Sequence, residues 1–352
     1  MARFGRTLTA TVATAAAAVA LGAAPANAET APIWKKPLVV AENGAFAAVG
    51  ASSWGNIWAA GNVQGSTQPL AARWNGSAWS KVALPAGTRE VDAVTASTVH
   101  NTWLLDTKSG THLRKWDDGT WSTPGAGYGK GVTTIAATST AVLWAGGTGF
   151  IRHYNGSAWQ QRTLAKDVTI DRIVAHGSAD VWAVGHRDLG PNGDYEIRQR
   201  PYAMHWNGST WTTTTVPSYP ANGGDGDLES LTGVAFAGTN DVYATGIAQY
   251  TDEDIRPIVV HWNGKAWSKV STPLAGGGVL GVAPANAGGL WALRTEYALP
   301  TTAQYRSTSG TWSTPAMSGT NAEPSGLLRV PGTTRTIAVG TAGGDGVIWL
   351  DA

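Results

Sequence analysis

The chain contains no cysteine in 352 residues. That excludes disulfides, thiolate nucleophiles, cysteine-ligated zinc and any cofactor attached through sulfur, so the fold must be held by its core. No charge sign dominates either: 25 basic residues stand against 24 acidic ones. Such a balance gives no clustered positive field for nucleic acid. After Leu21 no run is apolar for the roughly 20 residues a bilayer span needs. Helical spacing of apolar residues is absent, and glycine and turn clusters bound every apolar run. Neither a Gly-x-Ser-x-Gly nucleophile elbow nor a Gly-x-x-x-x-Gly-Lys phosphate loop occurs.

The first residues stand apart. Arg3 and Arg6 precede an apolar run from Leu8 to Leu21, and Ala26-Asn27-Ala28 follows. This is the pattern of a secretory signal peptide, residues 1–28, cut after Ala28. The alternative, an uncleaved anchor helix, is disfavoured by the shortness of the run. Export would leave one extracellular domain, residues 29–352, with no membrane span. Loss of the two leader arginines from 25 leaves 23 basic against 24 acidic side chains. A chain of this length buries enough surface to fold without cross-links.

What fills the chain is repetition. Trp-Asn-Gly-Ser-Ala-Trp stands at Trp74 to Trp79, with versions at Trp116 to Trp121, Tyr154 to Trp159, Trp206 to Trp211 and Trp262 to Trp267. A stretched version runs from Tyr305 to Trp312. A second phrase alternates with it: Asp180-Val181-Trp182-Ala183-Val184-Gly185, echoed from Asp241 to Gly246 and more weakly around Trp58, Trp103, Trp144, Trp291 and Ile337. Self-similarity at this spacing marks an array of supersecondary units. Each unit reads as four short strands, A to D, with an Asn-Gly hairpin between C and D in which both residues accept positive φ. Seven units fit, but the seventh lacks strand D, because the sequence stops at Ala352. Ile33-Trp34-Lys35-Lys36-Pro37-Leu38-Val39 resembles Ala266-Trp267-Ser268-Lys269-Val270. The N-terminal segment is therefore expected to supply the missing strand, closing a ring without open edges. Three aromatic slots per unit make 21. Trp fills 17, Tyr154, Tyr243 and Tyr305 three, and Ile337 one, leaving Trp54 outside. The tryptophans thus read as packing between units rather than as a sugar-stacking row.

These phrases resemble those of secreted bacterial seven-bladed β-propellers of the Kelch and WD40-like type, over residues 31–352. The resemblance implies an all-β fold of four-stranded antiparallel blades. Within that group the chain is similar to the propeller lectin subunits of the umbrella toxin particles of filamentous bacteria. That similarity implies adaptor and stalk proteins as partners, and recognition of a glycan on a competitor's cell surface. No catalytic motif defines those lectins, so no residue role carries over from them.

Function is expected where the array is broken. In a propeller the A–B and C–D turns share one face and the B–C and D–A connections the other. The first set is short throughout. The second set holds the insertions: His186 to Pro201, Ser218 to Glu229, Gln249 to Arg256 and Arg294 to Pro300. Tyr195, Tyr219, Tyr250 and Tyr297 fall in them, accompanied by Asp194, Asp225, Asp227, Asp252, Asp254 and Arg256. A tyrosine ring with its hydroxyl suits sugar or protein recognition, and these ten residues are the expected ligand-binding set. Asp225-Gly226-Asp227-Leu228-Glu229 could offer oxygens to calcium, but it lacks EF-hand spacing and also reads as a solvated acidic loop. No other cofactor is implied, and no catalytic residue is assigned. His153, His205 and His261 repeat on different units and cannot converge on one metal. The leading expectation is a non-catalytic lectin; the alternatives are a protein-binding scaffold and a secreted polysaccharide-degrading glycosidase or lyase, which would need two positioned carboxylates or a base with a metal.

Overall fold

The computed structural model describes residues 32–107, 112–123, 130–139, 142–190, 198–219, 228–250, 254–273, 276–296 and 299–351. Residues 1–31, which include the expected signal peptide, lie outside them. The first repeat unit forms strands Gly44–Ser53, Asn56–Val63, Pro69–Trp74 and Trp79–Lys81, hydrogen-bonded in that order. The same antiparallel A-B-C-D meander recurs in residues 93–122, 132–163, 168–214, 228–269 and 278–313. The last unit takes strands A to C from residues 323–350 and its outer strand from Leu38–Ala41. Leu38 faces Ile348, Val39 faces Val347, Trp34 bridges Asp351, and the Lys35 amide donates to the Leu350 carbonyl at 2.8 Å. The expected clasp is present. Strand A of this last unit also lies beside the first unit, the Ser325 hydroxyl donating to the Phe46 carbonyl. Seven such sheets around a common axis make a seven-bladed β-propeller.

Two devices repeat from blade to blade. Strand A carries a register shift, as between Ile170 and Arg172 or Leu231 and Gly233. Facing it, the second phrase ends in glycine because the backbones touch: a Cβ on Gly185 would lie 2.0 Å from the Thr169 carbonyl oxygen. The strand-B aromatic then inserts between the strand-C and strand-D aromatics of the following blade. Trp58 meets Trp116 and Trp121 with centroids 5.3 and 5.9 Å apart, and Trp182 meets Trp262 and Trp267 at 5.1 Å each. Histidines complete the stack, His205 lying 4.5 Å over Trp182 with its Nε2 2.8 Å from Asp180. His261 repeats this on Tyr243 and Asp241, as a packing element rather than a ligand.

Register corrects three expectations. Tyr305 pairs with Trp291, one residue before the strand-C slot, which Arg306 holds opposite Leu290. Trp349 pairs with Ala338, two residues before the slot, which falls at Asp351. Asp351 does work there that an indole could not: its carboxylate accepts from the Thr336 and Asn286 amides and from the Trp291 indole, tying blade six to blade seven. The Asn-Gly turns also differ. Gly76, Gly156, Gly208 and Gly264 take positive φ, but the preceding asparagines do not. Instead Asn75 Oδ1 accepts the amides of Ser77 and Ala78 at 3.0 and 2.9 Å, a side-chain-capped turn repeated at Asn155, Asn207 and Asn263. Only the Asp118-Gly119 turn has two left-handed residues in this hairpin position.

Candidate binding face

The B–C and D–A face is built up on blades four and five. Sequence placed a loop from His186 to Pro201, but the ladder continues: His186 faces Pro201, Arg187 faces Arg200, and Asp188 faces Gln199. Blade five behaves alike, Gln249 facing Ile255 and strand A starting at Leu228. These blades therefore rise as ribbons above the ring. Gln199 pairs in parallel with Leu228, fusing both blades into one eight-stranded sheet. In blade six the presumed loop from Arg294 to Pro300 is instead a tight connection, with Glu296 facing Leu299.

Glu229 holds the raised region together. It is fully buried, which a carboxylate tolerates only when its oxygens are matched. One oxygen accepts from Arg200 at 3.1 Å and Ser218 at 2.8 Å, the other from the Tyr219 amide at 2.8 Å. The third carboxylate of the calcium reading is thus a structural acceptor. Among the described residues no group of three or more metal-binding side chains gathers.

Two of the four expected sugar-stacking tyrosines belong to the same support. Tyr250 is 7% exposed, and its hydroxyl donates to the Tyr219 carbonyl. The Tyr219 hydroxyl donates to the Val259 carbonyl at 2.8 Å, and Lys269 Nζ lies 4.3 Å over its ring. Burial pushes the Tyr219 phenol up to about 12, against the Val259 bond, so it stays a neutral donor. With a face covered or a hydroxyl committed, neither ring is an open platform. Asp254 and Arg256 form a bidentate pair at 2.9 and 2.8 Å on the surface, Arg256 stacking 4.9 Å over Tyr250. Of the expected set, Tyr195, Tyr297, Asp194, Asp225, Asp227 and Asp252 lie outside the described residues.

Sequence reasoning missed two features here. Leu189 and Leu299 are 42% and 58% exposed and belong to the B–C connections of this face on blades four and six, whereas Leu280, 41% exposed, lies within strand A of blade six and lines the channel. The other is ionic: His186 Nδ1 sits 2.7 Å from Asp171, with Asp188 3.8 Å from its Nε2. The Asp171 bond raises the His186 pKa above its ordinary value against the opposing effect of burial. Alternation of charge along Asp167, Asp171, His186 and Arg187 was visible in the sequence, but the pairing needed the register.

The axis of the ring is an open channel of about 630 Å³, lined by strand A of all seven blades. Its wall is mostly backbone and small side chains, with Asp92, Arg172, His176 and Arg329 as charged groups.

The fold and face define a β-propeller with one elaborated rim. Solved structures similar to the chain include a catalytically inactive virginiamycin B lyase from Staphylococcus aureus with quinupristin, at 11% identity and a TM-score of 0.63, covering 91% of this chain and 99% of that one. YCF48 from Cyanidioschyzon merolae is similar at 14% identity and a TM-score of 0.57, covering 91% and 98%. YCF48 bound to D1 peptide is similar at 13% and 0.58, covering 90% and 96%. At such identities these similarities establish the fold alone, and they span an enzyme and a non-enzyme. No family profile matches the sequence, and no curated protein does.

Proposed function

We propose that the protein is an exported, non-catalytic recognition propeller that holds a protein partner on the B–C and D–A face of blades four to six. The observation that carries this reading is the allocation of structure. Among the described residues the opposite face is built of short turns, whereas this face receives the extended ribbons, the buried Glu229 support and two exposed leucines, Leu189 and Leu299. Apolar side chains beside ionic pairs such as Asp254–Arg256 suit a polypeptide surface, an apolar patch with a polar rim. The carboxylates Asp171, Asp188, Glu229 and Asp254 of the raised region are each already bonded within the chain. None of these four is free to act as one of a hydrolytic pair. In the setting the sequence suggests, the partner is an adaptor of a secreted toxin particle.

The test is the state of the protein in culture supernatant. Wild type is expected to elute within a larger assembly and the Leu189→Asp, Leu299→Asp double variant as a monomer with unchanged melting temperature. A wild type that elutes only as a monomer would end this reading.

A glycan ligand is the second reading, favoured by Tyr195 and Tyr297 lying in the connections of the same face. Tyr195→Ala with Tyr297→Ala is then expected to abolish glycan-array binding without lowering the melting temperature. Retained binding would count against it.

A further inference from the structure

The channel holds a departure from the repeat that the rim does not explain. Strand-A residues facing the second residue after the strand-B aromatic are equivalent across the ring. They are Ala48, Ala93, Thr134, Arg172, Gly233, Gly281 and Gly326. Six blades place a small residue there; blade four places an arginine that lines the channel.

The surroundings of Arg172 leave its charge unmatched. Its side chain is exposed to the channel, and among the described residues it makes no hydrogen bond or ion pair. The neighbouring Asp171 carboxylate is turned to His186 in its own blade. Asp92, the one carboxylate among the described residues that line the channel, accepts the Thr107 amide at 2.7 Å. On the opposite wall, three blades away, Arg329 is spent on the carbonyls of Thr333 and Ala285, at 3.0 Å each. His176 at the A–B mouth lies 3.7 Å from Asp180. The surrounding strands lower the Arg172 pKa below its ordinary value by partial desolvation, although its side chain stays open to the channel.

We propose that the central channel is a binding site for a ligand bearing one carboxylate, received by the Arg172 guanidinium. A guanidinium fork matches a carboxylate in a two-point hydrogen bond. One unpaired positive charge, with Asp92 and many carbonyls around it, matches a monoanion and disfavours a doubly charged phosphate. The remaining wall carries Ser52, Thr95 and Ser97 and apolar Val49, Leu280 and Leu328, room for a short uncharged chain behind the carboxylate. This site does not depend on the rim and survives failure of the partner reading.

Calorimetric titration of the full protein tests it with three probes: acetate, a tetra-alanine peptide with a free C-terminal carboxylate, and the same peptide amidated. Saturable binding of a carboxylate probe is expected, at least tenfold weaker in Arg172→Ala and absent for the amide. Acetate binding as tightly as the peptide would identify a small acid as the natural class; tighter peptide binding would identify a chain end. Arg172→Ala is expected to fold and melt as wild type, because Ala48 and Ala93 hold the same position in other blades. Absence of binding by both carboxylates, equal binding of the amide, or unchanged affinity in Arg172→Ala would overturn the proposal. A melting temperature lowered by many degrees in Arg172→Ala would also overturn it, by making the arginine a structural element.

Discussion

The seam between blades four and five and the seam between blades seven and one are built from the same repeat, yet they are held differently. At the first, Trp182 is wedged between Trp262 and Trp267, and the Trp267 indole donates to Thr214 at 2.9 Å. Glu229 and the parallel Gln199–Leu228 pair add a polar bridge above. At the second, Ile337 stands where the indole should be. Its smaller side chain leaves an apolar hollow of about 90 Å³ among Ile337, Trp74, Trp79 and Trp54. Trp54, the tryptophan outside the repeat slots, meets Trp74 edge-on at 5.9 Å on one side of this hollow and lies under Arg335 at 4.2 Å. The comparison teaches that a repeat protein reinforces the seam beneath its elaborated loops and leaves slack where the ring closes. Closure there rests on strand pairing, through Leu38–Ala41, more than on side-chain filling.

Four changes would break or sharpen that contrast. Trp182→Ala should be the most damaging, about 3–5 kcal/mol for an emptied aromatic slot, read by chemical denaturation. If it costs no more than a surface change, the indole wedge is not what holds the seam. Glu229→Gln comes next. It leaves Arg200 without its anion and should cost roughly 3 kcal/mol, at the low end for breaking a buried pair. Proteolysis is expected to accelerate within residues 190–198 and 218–228 before elsewhere, and uniform digestion would detach Glu229 from the support of the rim. Ile337→Trp should act in the opposite direction, filling the hollow for a gain of about 0.5–2 kcal/mol. A loss would mean that the wall cannot accept the ring.

The smallest effect is a pH dependence at His186. Its folded pKa is raised by Asp171, so its stabilising effect is fully present below the unfolded value, about 6.5. It fades as pH rises through the folded value. The stability advantage of wild type over His186→Gln should therefore shrink from pH 5 to pH 8. A flat difference would show that the Asp171 bond does not depend on the imidazolium charge.

Much of the architecture was legible because the repeat writes the same local chemistry seven times. Each Trp-Asn-Gly phrase marks a C–D turn, and Trp34 marks the strand that closes the ring. Slippage came where the phrase decays: Tyr305 and Trp349 resemble slot residues by type, but one- and two-residue offsets are invisible until strands pair. The ribbons of blades four and five were read as loops because polar residues such as Arg187, Asp188 and Gln199 form a ladder in which no apolar face signals a strand. The two tyrosines reached by the structure, Tyr219 and Tyr250, were read as ligand contacts because composition cannot say where a hydroxyl points. Arg172 drew no notice for a related reason. Its anomaly exists only relative to six equivalent positions, and the strand-A register shift hides that equivalence.

The sequence by itself determined the number of blades, the order of strands within them and the clasp of the N-terminal strand, since each follows from local pattern and its recurrence. Tertiary structure alone decided which side chains are spent and which are left over. Glu229, Tyr219 and Tyr250 are consumed by partners 10 to 40 residues away, whereas Arg172 and the exposed Leu189 and Leu299 are not. Hydrogen bonding and burial are properties of what surrounds a group in space, and in a closed ring those surroundings come from strands that the chain reaches only by going around.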